Sequence, residues 1–294
     1  MNIAQLRAFE AVAAHGGFTA AAHALGVSQP TVSEQVTALE REHGVRLIDR
    51  STRPVSLTAI GTRLHAVAAP LFSAERQAAD LLARAGGLET GELRIGADAP
   101  MHAMPILAEF HRRHPGISLR LTGGNSADLL RRLDDGLEDV VVAAAVPQSD
   151  ALTTVELVQQ DLVAVVRDDH PLAGRKTMRL SALATEQIVM REVGSVTRST
   201  LEAAMAAAGL TPAGVLEVDG REALLAATAA GLGVGVIAEN EMIDAPRLVM
   251  LDLRSPTVTV TEYLVALTAN RATTLVDEVF RIADARRSPD RTRS

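Results

Sequence analysis

At 294 residues the chain exceeds one typical domain and can bury at least two cores. Its 47% hydrophobic and 22% charged residues match an ordinary globular protein and exclude a disordered one, while a formal net charge of -7 speaks against a nucleic-acid partner if charge alone is consulted. The absence of cysteine removes a disulfide framework and any thiolate metal site, and it fits a reducing, cytoplasmic setting.

The opening residues MNIAQLRAFEAVAAHGG lack a basic leader and carry Glu10 and His15 in their apolar part, so no secretory signal is expected. Residues 19 to 40, TAAAHALGVSQPTVSEQVTALE, read as two tightly joined helices. Thr19 is the expected cap of the first, and Ala20, Ala21, Ala22 and Ala24 keep it slim enough for another helix to cross closely. Gly26 supplies the left-handed turn at its end. Ser28 caps the second helix, whose first turn, Gln29 and Pro30, tolerates proline. Val32, Val36 and Leu39 share one face at spacings of four and three, which leaves Pro30, Thr31, Ser33, Glu34 and Thr37 on the other. Short hydrogen-bonding side chains on such a helix suit the major groove of double-stranded DNA. Residues 46 to 57, RLIDRSTRPVSL, form an expected hairpin with Arg50 and Arg53 near its tip, suited to phosphate or minor-groove contact.

Two crossing helices with a glycine turn also occur in many helical domains that bind no DNA. Charge does not decide between the readings: residues 1 to 57 carry five arginines and five carboxylates, so phosphate neutralisation falls to Arg50, Arg53, helix N-termini and the doubling of contacts in an oligomer. Glu34 would repel phosphates unless it accepts from a cytosine amino group or pairs with an arginine.

Residues 58 to 87 read as one long amphipathic helix, with Ile60, Leu64, Val67, Leu71, Ala74, Ala78, Leu81 and Ala85 as a single apolar stripe. Thr58 caps its start, the Gly86-Gly87 pair ends it, and Pro70 is expected to bend it. The stripe needs a cover, either an identical helix from a second chain or the helix's own domains.

From 91 onward strands and helices alternate in two series: ELRIGA, a helix over about 101–113, ISLRLT, a helix over about 126–135 and DVVVAAA; then DLVAVV, a short helix near 181, QIVM, a helix over about 196–208, VLEV, a helix over about 221–230 and VGVIA. This alternation predicts parallel sheets covered on both faces, hence two lobes with a ligand cleft between them. Apolar stretches such as ALLAATAAGLGVGVIA, 223–238, are broken by Thr228 and too short to span a bilayer, so no membrane partner is expected. The expected domains are 1–57, 58–88 and 89–294, the last divided into lobes at about 91–160 plus 268–288 and about 161–267.

The segment LRAFEAVAAHGGFTAAAHALGVSQPTVSEQVTALEREHGVRLIDRSTRPVSLTAIG resembles the N-terminal signature of the LysR-type transcriptional regulators, and the likeness continues through GELRIGA, DGLEDVVVA and AAGLGVGVIAEN. The resemblance implies an α/β protein with an N-terminal winged helix-turn-helix, a long dimerising linker helix and a C-terminal two-lobed effector domain related to periplasmic binding proteins. It also implies a homodimer or homotetramer held through the linker helix and effector domain. Glu34, Ile48 and Ala59 depart from the residues usual in the family, which bears on DNA sequence preference and not on fold. GGNS at 123–126 and MREVGSVTR at 190–198 resemble the subgroup associated with aminoethylphosphonate catabolism.

If Ser195 caps the helix that follows, Arg198 falls at its third position, where a cation opposes the helix dipole. That placement makes sense if an anion docks at the helix start, held by backbone amides, Ser195, Thr197 and Arg198, with Arg191 and Gly194 completing the expected site. The competing reading pairs Arg198 with Glu202 one turn on. Across the cleft, Asp98, Ala99 and Met101 follow the first strand and Asn125 with Ser126 begins a helix; Asp98 could receive a ligand ammonium or cap its own helix. Arg221, at a helix start, is a weaker candidate. The expected effector is a small anion such as 2-aminoethylphosphonate or a related phosphonate, with a sulfonate, carboxylate or amino acid as alternatives.

Enzyme motifs fail on context. GLGVG at 231–235 follows a helix and enters a strand, the reverse of a dinucleotide loop. His111 and His114 have no third ligand nearby, so neither a metal nor a cofactor is expected. A solute-binding protein without a DNA role would share the lobes but have no need of the first 57 residues.

Overall fold

The computed structural model describes residues 1–51, 55–85, 91–242, 245–254, 257–271 and 273–286. The chain divides into two compact units.

The first unit comprises residues 1–92 with two short returns, 116–118 and 131–139. Helices α1 (Ile3–His15), α2 (Phe18–Leu25) and α3 (Gln29–His43) are followed by a minimal hairpin, β1 (Ile48–Asp49) and β2 (Ser56–Leu57), and by α4 (Ala59–Ala85). Asn2 and Gln5 form a reciprocal capping box on α1. Helix α2 begins two residues earlier than the sequence suggests: Gly17 occupies the cap, so Thr19 lies inside the helix and caps nothing. Of its alanines, Ala21 and Ala22 are buried while Ala20 and Ala24 face solvent. Gly26 adopts φ 65°, the left-handed turn that only glycine takes without strain. Leu6, Phe9, Val12, Ala21, Val32, Val36 and Leu39 close one core with Phe72 of α4.

The hairpin is fixed from behind by Glu40, whose Oε1 accepts from the amides of Leu47 (2.8 Å) and Ile48 (3.2 Å). Thr58 caps α4, accepting from Gly61 N at 3.1 Å. A Cβ at Gly61 would stand 2.0 Å from the Leu47 carbonyl oxygen, so the first turn of α4 rests directly on the hairpin backbone. Pro70 is carried inside an unbroken helix, and the Gly86-Gly87 stop lies outside the described residues.

Helix α4 has two apolar faces where one stripe is predicted. Ala68, Ala69 and Phe72 are buried, and Ala68 and Phe72 join the core above, whereas Ile60, Val67, Leu71, Ala74, Ala78 and Leu82 are exposed, Val67 to 72%. The side chains of Leu81 and Ala85 are not among those described.

The remaining elements lie in the second unit, apart from residues 91–92, 117–118 and 131–134, which count with the first: β3 (Gly91–Ala97), α5 (Pro100–Arg113), β4 (Ile117–Gly123), α6 (Ser126–Asp134), β5 (Val140–Ala144), β6 (Leu152–Arg167), β7 (Thr177–Arg179), α7 (Leu180–Leu183), β8 (Gln187–Arg191), α8 (Val196–Ala207), β9 (Gly214–Val218), α9 (Arg221–Ala229), β10 (Val234–Ala238), β11 (Leu248–Arg254), β12 (Thr259–Leu267) and α10 (Thr274–Arg286). Its strands run in the order β4-β3-β5-β12-β6-β10-β8-β9, with β11 beside β6 and β7 beside β11.

The expectation of parallel sheets is corrected to mixed ones. Pairs β3–β5, β8–β9 and β8–β10 are parallel, but β12 is antiparallel to both β5 and β6, and β6 to β10 and β11. The cause is a 16-residue strand of which the sequence pattern shows only DLVAVV. From Leu152 to Asp161 β6 pairs with β12, and from Leu162 to Arg167 it pairs with β10 and β11. Polar residues Gln159, Gln160 and Asp161 at the change of partner hide its continuity. Strand β12 also passes between lobes: Val260 sits in the second lobe's core, while Glu262–Val265 pair with β5 in the first.

In the first lobe Phe110 of α5 and Phe280 of α10 are fully buried, and these two helices pack together. In the second, the sheet separates two cores. Ile188, Met190, Leu201 and Met205 pack on the α8 side, and Val163, Val165, Val189 and Leu224 on the α9 side.

Candidate functional site

Two surfaces collect the residues that the sequence singles out. On the first unit, α3 buries Val32, Val36 and Leu39 and leaves Ser28, Gln29, Pro30, Thr31, Glu34 and Thr37 exposed, with Ser33 half-buried. Ser28 caps the helix, accepting from Thr31 N at 3.3 Å, and its Oγ lies 2.7 Å from Thr31 Oγ1. The hydroxyl pair therefore stands at a solvent-facing N-terminus, where the helix dipole favours phosphate. Arg50 stacks over the Phe18 ring at 4.9 Å and donates to Thr37 Oγ1 at 3.1 Å and Glu40 Oε2 at 3.4 Å, so its guanidinium is held beside α3. Arg53 lies outside the described residues.

In the second unit a small cavity opens where the two lobes meet. It is lined by Asp98, Asn125, Ser126, Arg191, Ser195 and Thr197 among the predicted residues, together with Arg221, Glu241 and Glu262. Its volume of about 10 Å³ is the space of a single water molecule. As it stands, then, the cavity has no room for a larger ligand.

Asp98 does not cap α5. The cap position is Ala99 and receives no side-chain bond, while the Asp98 carboxylate accepts from Ser126 Oγ and from Ala144 N, the latter at 3.2 Å. Ala99 is buried and Met101 half-buried, and neither lines the cavity. Asn125 Oδ1 accepts from Asp128 N at 2.9 Å, which starts α6. Gly194 has φ 100°, and a Cβ there would meet Asn125 Oδ1 at 2.8 Å, so this glycine lets the lobes touch.

Ser195 caps α8, accepting from Arg198 N at 3.5 Å. Arg198 itself follows the competing reading. It donates to Glu202 at 2.8 Å, to Glu217 at 2.6 Å and to the Arg191 carbonyl at 3.0 Å, and it does not line the cavity. Its placement at the third helical position is thus explained by a carboxylate pair outside the cavity, and the cations facing the cavity are Arg191 and Arg221. Arg191 forms a two-pronged pair with Glu192, both bonds 2.7 Å. Burial opposes its charge, but that pair holds its pKa up; Arg191 and the Gly220 amide in turn hold Glu192 at about 2 against its own burial. Arg221 donates to Glu241 at 2.6 Å and to the Asp98 carbonyl at 3.0 Å.

Sequence reasoning missed the two glutamates. Glu241 follows β10 in a single 3-10 turn, with no periodicity to mark it. Glu262 did leave a signal: in TVTEYLVAL it shares the inward register of Val260 and Leu264, a carboxylate on a face that is otherwise apolar. Burial beside the Asp98 carboxyl pushes Glu262 up to about 9.

Residues 3–62 match the family described as "Bacterial regulatory helix-turn-helix protein, lysR family", and residues 86–287 match the "LysR substrate binding domain". The chain is 34% identical over 258 residues to the RuBisCO operon transcriptional regulator of Allochromatium vinosum, covering 86% of this chain and 85% of that one. It is similar to full-length CbnR complexed with its target DNA, at 25% identity and a TM-score of 0.64, covering 97% and 99% of the two chains. It is also similar to the CcmR regulatory domain of Synechocystis PCC6803 in complex with 2-PG, at 25% identity and a TM-score of 0.61, covering 68% and 99%. These relatives regulate transcription and are not enzymes. No helix among the described residues is long and apolar enough to cross a membrane. With both halves matched in order, the chain belongs to the LysR family of DNA-binding transcriptional regulators, an N-terminal helix-turn-helix joined to a C-terminal effector-binding domain.

Proposed function

We propose that this regulator reads promoter DNA with Thr31, Ser33, Glu34 and Thr37 of α3, and that Ser28, Gln29, Pro30, Arg50 and Arg53 position it on the phosphates. The observation that carries this is the division of α3 into a buried Val32/Val36/Leu39 face and an exposed hydroxyl-bearing one. The target-DNA complex of a similar regulator supports it. Two chains joined along the exposed face of α4, at Ile60, Val67, Leu71 and Ala74, would present paired α3 helices to DNA, as a homodimer or as half of a homotetramer. The domain limits 1–57, 58–88 and 89–294 are the working boundaries of this reading, and the cytoplasm is its compartment.

The effector in this reading is a small molecule that enters the lobe cavity with an anionic group at the start of α8, near Ser195, Thr197 and Arg191, and with Asn125, Ser126 and Arg221 opposite. Support comes from the polar lining and from the 2-PG bound by a similar regulatory domain. 2-Aminoethylphosphonate meets the chemistry of the lining, as do sulfonates, carboxylates and amino acids of similar size; the names of the relatives above refer to no phosphonate.

A thermal-shift panel over these four classes tests the reading. A ligand at one hundred times its dissociation constant stabilises by about 2.7 kcal/mol, and the shift should shrink in Ser195→Ala. A panel without any shift removes the effector site but leaves DNA binding intact.

A further inference from the structure

The cavity contains an electrostatic imbalance that a simple anion site would not have. Asp98 Oδ1 and Glu262 Oε2 are both cut off from solvent and neither meets an N–H or O–H donor. Glu262 is only 2% exposed, and both residues line the cavity. The cations of the lining are each tied to another glutamate, Arg221 of α9 to Glu241, with its Nε left without a partner, and Arg191 of β8 to Glu192. Beyond the lining, His102 of α5 faces Gln160 at 3.2 Å, with burial keeping its pKa down. Ser126 of α6 and the Ala144 amide of β5 serve only the other oxygen of Asp98. Two adjoining buried carboxyls whose facing oxygens receive no donor raise the cost of each other's ionisation, and the Arg221 charge nearby offsets only part of that cost. A proton held between them supplies the donor that both oxygens lack.

Accepting the effector cavity proposed above, we infer that Asp98 and Glu262 share one proton in the unliganded protein and release it to water when the ammonium group of an amine-bearing effector takes its place. The exchange balances: one O–H bond is broken, the proton leaves to solvent, and R–NH3+ is then held by two carboxylates. The effector class is accordingly a small zwitterion, its anion at the start of α8 and its amine between β3 and β12.

Affinity for such a ligand should rise about tenfold per pH unit while the pair is protonated and the amine charged. Burial with Asp98 alongside holds the Glu262 proton up to about pH 9. Titration calorimetry of the full-length protein, in two buffers of different ionisation enthalpy, would compare 2-aminoethylphosphonate with ethylphosphonate, taurine with ethanesulfonate and β-alanine with propionate. The expected result is that an amine member binds at least tenfold more tightly than its deaminated partner and releases close to one proton. In Glu262→Gln the release should vanish and the affinity become independent of pH.

Equal affinity within every pair, or amine binding without proton release, overturns the inference and leaves the effector cavity standing. Failure of all six compounds to bind overturns both. If Glu262→Gln does not fold, infrared spectroscopy of the intact protein decides: a protonated carboxyl band present at neutral pH and lost above about pH 9 is required, and its absence overturns the shared proton.

Discussion

Arg221 and Glu241 form an ion pair of 2.6 Å in which both side chains are buried. Glu241 also accepts from the Ala238 amide at 3.3 Å, so one carboxylate ties α9 to the end of β10. Removing it strands a buried guanidinium. Glu241→Ala should cost about 3–5 kcal/mol of stability in urea titration, and Glu241→Gln markedly less because an acceptor remains. A loss below about 1 kcal/mol would show that water reaches Arg221.

Gly61 allows α4 to lie on the hairpin, with the Leu47 carbonyl where a Cβ would be. Since the obstacle is backbone, no side-chain rotation relieves it. Gly61→Ala should destabilise by about 1–3 kcal/mol and weaken DNA binding with it, because the hairpin has to move. Retention of both wild-type melting temperature and wild-type affinity would contradict the close approach.

Arg50 is anchored by Phe18, Thr37 and Glu40, whereas Thr31 and Ser33 lie on the outer side of α3. Arg50→Ala should lower affinity for all DNA sequences and reduce the salt dependence by about one counterion. Changes at Thr31 or Ser33 should instead alter preference at particular base pairs, by about 1–3 kcal/mol each. Gel-shift titrations against randomised operators separate the two patterns, and identical sequence-blind losses would refute the docking.

His65 of α4 places Nε2 3.0 Å from Asp135 within the first unit. The hydrogen bond to Asp135 raises its pKa, outweighing the burial that lowers it. A group whose pKa is raised on folding binds its proton more tightly in the native state. Its contribution is therefore complete below the unfolded value of about 6.5 and is lost as pH rises through the folded value. His65→Gln should flatten the fall in stability on the alkaline side of that window while leaving the more acidic slope to other groups. An unchanged pH profile would rule out the coupling.

Much of this architecture was readable in the residues because its causes are local. The face of α3, the Ser28 and Ser195 caps, the Gly26 turn and most strands of the second unit follow from spacing and from single-residue conformational preference. What escaped depended on distant partners. The merging of two half-strands into β6 needed β10, β11 and β12 to be in place, and the second face of α4 needed the core that receives Phe72. Arg198 looked like an anion ligand because its carboxylate Glu217 comes from strand β9, 19 residues away in sequence. Glu262 stood visibly on an apolar face, but its neighbour Asp98 is 164 positions earlier, and only folding brings the two together.

Strand β12 changes register against β6 between Glu262 and Tyr263, on a strand that both lobes own. Leu157 of β6 is the residue left without a partner there, and a bulge bends its strand and increases the local twist. The bend in the sheet that joins the lobes therefore lies beside the buried acid, so backbone irregularity and buried charge occupy one place in this domain.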